Sequence, residues 1–280
     1  MDGIIVGVDE SAVAQAALRW AVAQAAPTGQ PVSAVMAWGY IDQHHLEPGA
    51  PFDPSYTSTI AAKVLDQLVA RTVGRDDTVR RLAVCDLPAH ALVDAAVDAS
   101  LLVVGARGMG GFRGLLLGSV SRQVLHNARC PVAVIRDAAD RTGKPVVVGV
   151  DGSESSKRAL QWATDHAATR GLRLVAIHAW HLPYTASGFY LPYPDPDELA
   201  LGAERFLHDQ LTHIDTSDLV APIEYRAVAD RAAAALIKAS ALASLVVVGS
   251  RGHGQLANAV LGSVSDQVSQ HATSPVVVVP

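Results

Sequence analysis

The chain repeats itself. Ile4-Ile-Val-Gly-Val-Asp9 returns as Val146-Val-Val-Gly-Val-Asp151, and Ala17-Leu-Arg-Trp20-Ala21 as Ala159-Leu-Gln-Trp162-Ala163, both at an offset of 142 residues. Leu117-Gly-Ser-Val-Ser121 returns as Leu261-Gly-Ser-Val-Ser265 and Pro131 as Pro275, at an offset of 144. Self-similarity at a fixed spacing marks two copies of one domain. Within 280 residues each copy is long enough to bury its own core. The change of offset places a two-residue insertion in the middle of the second copy. The expected division is residues 1–137 and 144–280, joined by a short polar connector ending at Lys144.

Each copy alternates apolar runs with amphipathic ones. In the first, Ile4–Val8, Val32–Trp38, Thr78–Val84, Leu101–Val104 and Val132–Ile135 read as strands. Ser11 is placed to cap a helix with Val13, Ala16, Ala17, Trp20 and Ala21 on one face, so Trp20 and its counterpart Trp162 are expected in the core. Further helices are expected along Ile60, Val64, Leu68 and Val69, over Ala89–Ala99, and over Val120–Ala128. In the second copy the strands fall at Val146–Val150, Leu172–Trp180, Ile223–Val228, Leu245–Val248 and Val276–Val279, with Ser153 as the first cap. Alternating strands and helices with continuous apolar strands imply a parallel sheet covered on both faces: an α/β protein of two tandem doubly wound αβα sandwiches. The short apolar fifth strands, Val132–Ile135 and Val276–Val279, are expected to pair with each other.

Composition narrows the function. Half the residues are apolar and 18% are charged, as in a globular protein. A net charge of −5 supplies no basic stripe for nucleic acid. Cys85 and Cys130 are too few for a disulfide framework and read as buried thiols. No run is long enough for a membrane span, and the N-terminus lacks the pattern of a signal peptide, so a cytoplasmic location is expected.

The chemistry concentrates after the fourth strand of each copy. Gly105-Ala-Arg107-Gly108 is followed, after nine residues, by Gly118-Ser119-Val120-Ser121; Gly249-Ser-Arg251-Gly252 is followed, at the same spacing, by Gly262-Ser263-Val264-Ser265. Strand, glycine-rich loop, helix is the arrangement that offers backbone N–H groups to an anion at a helix N-terminus. The plainer readings are a turn with Ser119 as a helix cap, and they stand level with phosphate binding for a single copy. Asp9 and Asp151 face the same crevice if the first strand lies beside the fourth, either as helix caps or as acceptors for ribose or base donors. Arg107 and Arg251 would pair with phosphate or face water. No Gly-Lys-Ser/Thr, no Gly-x-Gly-x-x-Gly after the first strand and no Gly-x-Ser-x-Gly is present. The eleven histidines suggest no metal-ligand cluster, and His44-His45 read as solvated or as cover over the pocket.

The Val-Gly-Val-Asp strand end, the Ala-Leu-x-Trp-Ala helix and Gly-x2-Gly-x9-Gly-Ser, all present twice, resemble the universal stress protein family in its tandem form. The resemblance covers essentially the whole chain and implies, for each half, a five-stranded parallel sheet of order 3-2-1-4-5, adenine nucleotide alpha hydrolase-like. It further implies ATP across the crevice between strands one and four, with or without Mg2+; because both glycine patterns keep their anchor residues, two ATP per chain are expected. Asp9 and Asp151 would then contact the adenosine part, Ala37 and Ala179 would offer backbone to adenine, and the glycines and serines of the two loops would line the phosphates. Such a protein would act as a nucleotide-dependent sensor or regulator in stress response, at most a weak ATPase, as a homodimer with an unknown regulatory protein partner. A slow nucleotide hydrolase or adenylyl-transferring enzyme, and a scaffold with empty pockets, are the competing classes. Two departures from the pattern stand out: Glu10 replaces the glycine found at Gly152, and Gln255-Leu-Ala-Asn258 replaces Gly111-Phe-Arg-Gly114. The second makes domain two the expected weaker site.

Overall fold

A computed structural model describes residues 1–39, 57–74, 78–108, 116–137, 139–181, 195–252 and 261–280. The first half runs β1 (Ile4–Gly7), α1 (Ala12–Ala25), β2 (Val32–Trp38), α2 (Ser58–Val73), β3 (Val79–Cys85), α3 (Pro88–Ala95), β4 (Leu101–Gly105), α4 (Ser119–Asn127) and β5 (Val132–Ile135). The second runs β6 (Val146–Gly149), α5 (Glu154–Arg170), β7 (Leu174–Trp180), α6 (Pro196–Leu211), β8 (Glu224–Ala229), α7 (Ala232–Ser240), β9 (Leu245–Gly249), α8 (Ser263–His271) and β10 (Val276–Val279).

The chain divides into two compact units. The first comprises residues 1–140 together with Pro275–Val278 and Pro280, and the second comprises residues 141–274 with Val279. In the first unit the strands lie in the order β3-β2-β1-β4-β5, all parallel, as the resemblance implies. Its edge beyond β5 is taken by β10, antiparallel, with Val276 opposite Val134 and Val278 opposite Val132. The apolar edge expected to seek a partner therefore has one, and all four residues of β5 are buried. In the second unit β9-β6-β7-β8 repeats the parallel order, and the Val279 carbonyl accepts from the Ser250 N–H at 2.6 Å beyond β9.

Sequence explains the layers. The central strands are continuous Val/Ile/Leu runs because helices cover them on both faces. Ile5 and Leu102 are completely buried, and so is Leu160 to within 1%. Both α1 and α5 start where expected: Ser11 Oγ accepts from the Ala14 N–H at 3.1 Å, and Ser153 Oγ from the Ser156 N–H at 3.2 Å. The third helix stops earlier than Ala99, because the chain tightens into a turn after Ala95 and the Ala96 N–H is shared between the Leu92 and Val93 carbonyls. Trp20 and Trp162 are half-buried instead of lying in the core, where Leu18 and Leu160 take the deepest places. Cys130 is buried, but Cys85 is exposed, since it ends the edge strand β3.

One buried group makes stability depend on pH. His166 lies on the inner side of α5, its ring 4.8 Å from that of Trp162. Burial, with a smaller push from Arg170, drives its pKa down from 6.5 to about 3. A depressed histidine lets the unfolded chain bind the extra proton, so stability is full above pH 6.5 and falls as pH drops from there towards 3. We expect acidification from pH 7 to pH 5 to cost the second unit about 2 kcal/mol through this residue. His166→Gln, which copies Gln24 of the first repeat, should remove that share, as read by urea unfolding at the two pH values. An unchanged difference between the two proteins would refute it.

Candidate functional site

β1 pairs with β2 on one side and β4 on the other, so the winding of the sheet reverses between β1 and β4. At such a reversal the loops leaving the carboxyl ends diverge and open a crevice. Asp9 lies two residues beyond β1, Gly105 ends β4, and Ala37 is the penultimate residue of β2. Asp9 Oδ1 accepts from the Ser11 N–H at 3.0 Å and from Ser11 Oγ at 2.5 Å. Its other oxygen, Oδ2, lies so close to Gly108 that a Cβ there would collide with it. Gly105 is confined too, since a Cβ would stand 3.0 Å from Val13 Cγ1. Neither Gly105, Gly108 nor Gly118 has a positive φ. At Gly105 and Gly108 the constraint is close approach and not backbone twist, while a Cβ on Gly118 would make only ordinary contacts.

The two ends of the glycine loop are stitched together under the crevice. The Ala106 N–H donates to the Ile135 carbonyl at 2.6 Å, and the Gly118 N–H to the Ala106 carbonyl at 2.7 Å. Ser121 is buried and donates its hydroxyl to the Gly105 carbonyl at 2.6 Å. The Gly118 N–H and the Ser121 hydroxyl are thus engaged inside the protein, where the sequence placed them towards an anion. The reason is local: Ser121 is on the inner face of α4, where strand-end carbonyls need donors. Exposed Ser119 and half-buried Val120 open α4, which has no side-chain cap, so its first turn presents N–H groups and the positive end of the helix dipole.

Arg107 is exposed beside this loop. Sequence reasoning missed a second guanidinium: Arg136, just past β5, donates from Nη1 to the Leu116 carbonyl at 3.2 Å. Burial lowers its pKa, the nearby charge of Arg107 lowers it further, and Asp137 opposes. No motif marks Arg136, and Pro280 holds the corresponding place in the second repeat.

The second repeat builds the same crevice. Asp151 Oδ1 accepts from the Ser153 N–H at 3.0 Å and from Ser153 Oγ at 2.6 Å. A Cβ on Gly252 would lie 2.5 Å from Asp151 Oδ2. The Gly262 N–H donates to the Ser250 carbonyl at 2.7 Å, and Ser265 Oγ donates to the Gly249 and Ser250 carbonyls at 2.9 and 3.1 Å. Exposed Ser263 and half-buried Val264 open the uncapped α8. Ala179 is half-buried near the end of β7. Arg251 is exposed, and its carbonyl accepts from Ser155 Oγ and lies 3.2 Å from Ser153 Oγ. Gly152 adopts φ +84°, a conformation that Glu10 does not share. His44-His45, Gly111–Gly114 and Gln255–Asn258 lie outside the described residues.

Among the described residues one histidine does join a possible ligand group, at the start of α3. His90 Nδ1 is 2.5 Å from Asp86 Oδ2, and Nε2 is 3.6 Å from Asp94 Oδ2. Both ring nitrogens face carboxylates, and the pKa of His90 is raised by them.

The stitched loop predicts a measurable cost. Ser121→Ala leaves the half-buried Gly105 carbonyl without that donor and should destabilise the first unit by about 0.5–1.5 kcal/mol even with no ligand present. A urea unfolding midpoint equal to wild type would show that the hydroxyl is no structural anchor.

Comparison with known proteins places this geometry in a family. The model of the universal stress protein family matches residues 1–136 and again 143–280. A universal stress protein of Mycobacterium tuberculosis is 36% identical over 290 residues, covering 99% of this chain and 95% of the relative. One from Mycolicibacterium smegmatis is 34% identical over 299 residues, covering 99% and 96%. The crystal structure of a universal stress protein from Archaeoglobus fulgidus shares the fold with a TM-score of 0.65 at 20% identity, covering 99% of this chain and 95% of that one. The chain belongs to the universal stress protein family.

Proposed function

We propose that this universal stress protein binds ATP at two sites, one in each of the domains 1–137 and 144–280, and works in the cytoplasm as a nucleotide-dependent sensor or regulator in stress response. The observation that carries the reading is the same in both halves: an aspartate carboxylate lies against the α-carbon of the first loop's second glycine, Asp9 on Gly108 and Asp151 on Gly252. That contact puts a hydrogen-bond acceptor at one wall of the crevice and bare backbone at the other. Phosphate would lie along Gly105–Gly108 and the start of α4 at Ser119 and Val120, and along Gly249–Gly252 and the start of α8 at Ser263 and Val264. A carboxylate repels phosphate, so Asp9 and Asp151 serve ribose hydroxyls or base donors, with the backbone of Ala37 and Ala179 beside adenine. Arg107 and Arg251 stand where they can neutralise the phosphates. Mg2+, where it takes part, would travel with the phosphates.

Hydrolysis would be slow. Among the described residues the carboxylate beside each loop is Asp9 or Asp151, and in each one oxygen already accepts two hydrogen bonds from a neighbouring serine, which tie it to the helix start and away from the position of an attacking water. Regulation then rests on a bound state that persists and is read by a partner protein, with the chain assembled as a homodimer.

The test is calorimetric titration of the full-length protein with ATP, together with mass spectrometry of nucleotide released from it. Two ATP per chain are expected. Asp9→Ala and Asp151→Ala should each weaken one site about ten- to a hundredfold, as loss of a hydrogen bond to a charged group does. Inorganic triphosphate should bind neither variant more weakly than wild type. No heat with ATP and no nucleotide released would overturn the reading, and turnover of Mg-ATP faster than about one per second would move it to the enzyme class.

A further inference from the structure

The two crevices share their anchors but not the way they are held in shape. Where the first repeat has Val13-Ala14, the second has Ser155-Ser156 at the same offset of 142. Both serines are buried at the start of α5, and both face the crevice walls. Ser155 Oγ donates to the Arg251 carbonyl and lies 3.3 Å from the Arg251 N–H, which donates to it. It therefore grips both polar groups of one loop residue, next to Gly252. Ser153 Oγ, whose proton goes to Asp151 Oδ1 at 2.6 Å, lies 3.2 Å from the same carbonyl and 3.4 Å from Ser155 Oγ. Ser156 Oγ accepts from the Asp151 N–H at 3.0 Å and so fixes the opposite wall. Gly249 makes room for this clamp, since a Cβ there would stand 2.6 Å from Ser155 Oγ.

In the first repeat valine and alanine offer no hydroxyl for either task. Val13 Cγ1 simply fills the space against Gly105. Among the described residues no side-chain hydroxyl reaches the backbone of Arg107.

We propose that Ser155 and Ser156 are positioning residues that pre-organise the second site, so that it takes adenine nucleotide more tightly than the first. This rests on the nucleotide reading above and goes beyond it by ranking the two sites. A loop held by more of its own hydrogen bonds loses less freedom when a ligand arrives than one held by fewer. The ranking reverses the one the glycine content of the loops leads to expect. Neither serine touches the ligand; each acts through the backbone it holds.

The experiment uses the full chain in four forms: wild type, Ser155→Val with Ser156→Ala, Ser155→Ala alone, and the reciprocal Val13→Ser with Ala14→Ser. Valine is tolerated in the equivalent place of the first repeat, and Ser155→Ala covers the case in which the paired variant does not fold. Amide hydrogen exchange without nucleotide reads the clamp directly. The Arg251 amide should exchange about threefold to tenfold faster in both second-repeat variants, and the Asp151 amide likewise in the paired one, while the reciprocal variant should slow Arg107 and Asp9. ATP titration should show the second site tighter in wild type, weakened about threefold to tenfold by the second-repeat variants, and the first site tightened by the reciprocal pair. A lowered unfolding temperature with second-site affinity unchanged means a merely structural role and overturns the proposal, as does unchanged exchange at Arg251. No ATP binding by wild type overturns the nucleotide reading itself, and the ranking falls with it.

Discussion

A carboxylate resting against the α-carbon of a glycine is the contact on which both halves of this protein turn. It exists because three constraints meet. The order β2-β1-β4 brings the end of β1 beside the end of β4. A serine two residues on binds one carboxylate oxygen and turns the other towards the loop. And Gly108 and Gly252 carry no side chain, so the backbone comes within reach. The serine does double work here, since its hydroxyl also accepts from the first turn of the helix. The sequence posed aspartate and serine as rival helix caps; in the structure they act in series, the serine capping the helix and the aspartate steering the serine.

The parts legible beforehand were those written in periodicity. Continuous apolar runs gave the strands, and the strict spacing of the repeat fixed which strand answers which. The junction chemistry was harder. Ser121 and Ser265 stand in a motif that invites a phosphate contact, yet their hydroxyls are spent on strand-end carbonyls. A one-dimensional pattern records that a hydroxyl is needed at that place without saying which side of the helix it faces. Arg136 was invisible for a different reason. It belongs to no motif, and only the parallel pairing of β5 with β4 brings the end of that strand alongside the loop.

At the edges sequence and structure agree. Short apolar fifth strands pointed to mutual pairing, and β10 does lie antiparallel on β5. Four consecutive valines suit that pairing, because β-branched residues fit a pleated surface, and all four are buried.

The repeats have kept the frame and divided the means of holding it. In the first, two guanidinium groups stand near the loop, and the one at Arg136 is under electrostatic pressure from Arg107. Like charges held together in a partly buried place favour an anion between or beside them, and such a field falls off with salt. In the second, Pro280 removes the extra cation, and buried hydroxyls fix the backbone instead. Short hydrogen bonds inside the protein are little affected by salt, and they act before any ligand arrives. On the proposed reading the first crevice draws its anion by charge and the second by readiness of shape. Two copies of one domain in one chain thus differ in how the crevice is held, while the aspartate–glycine contact is common to both.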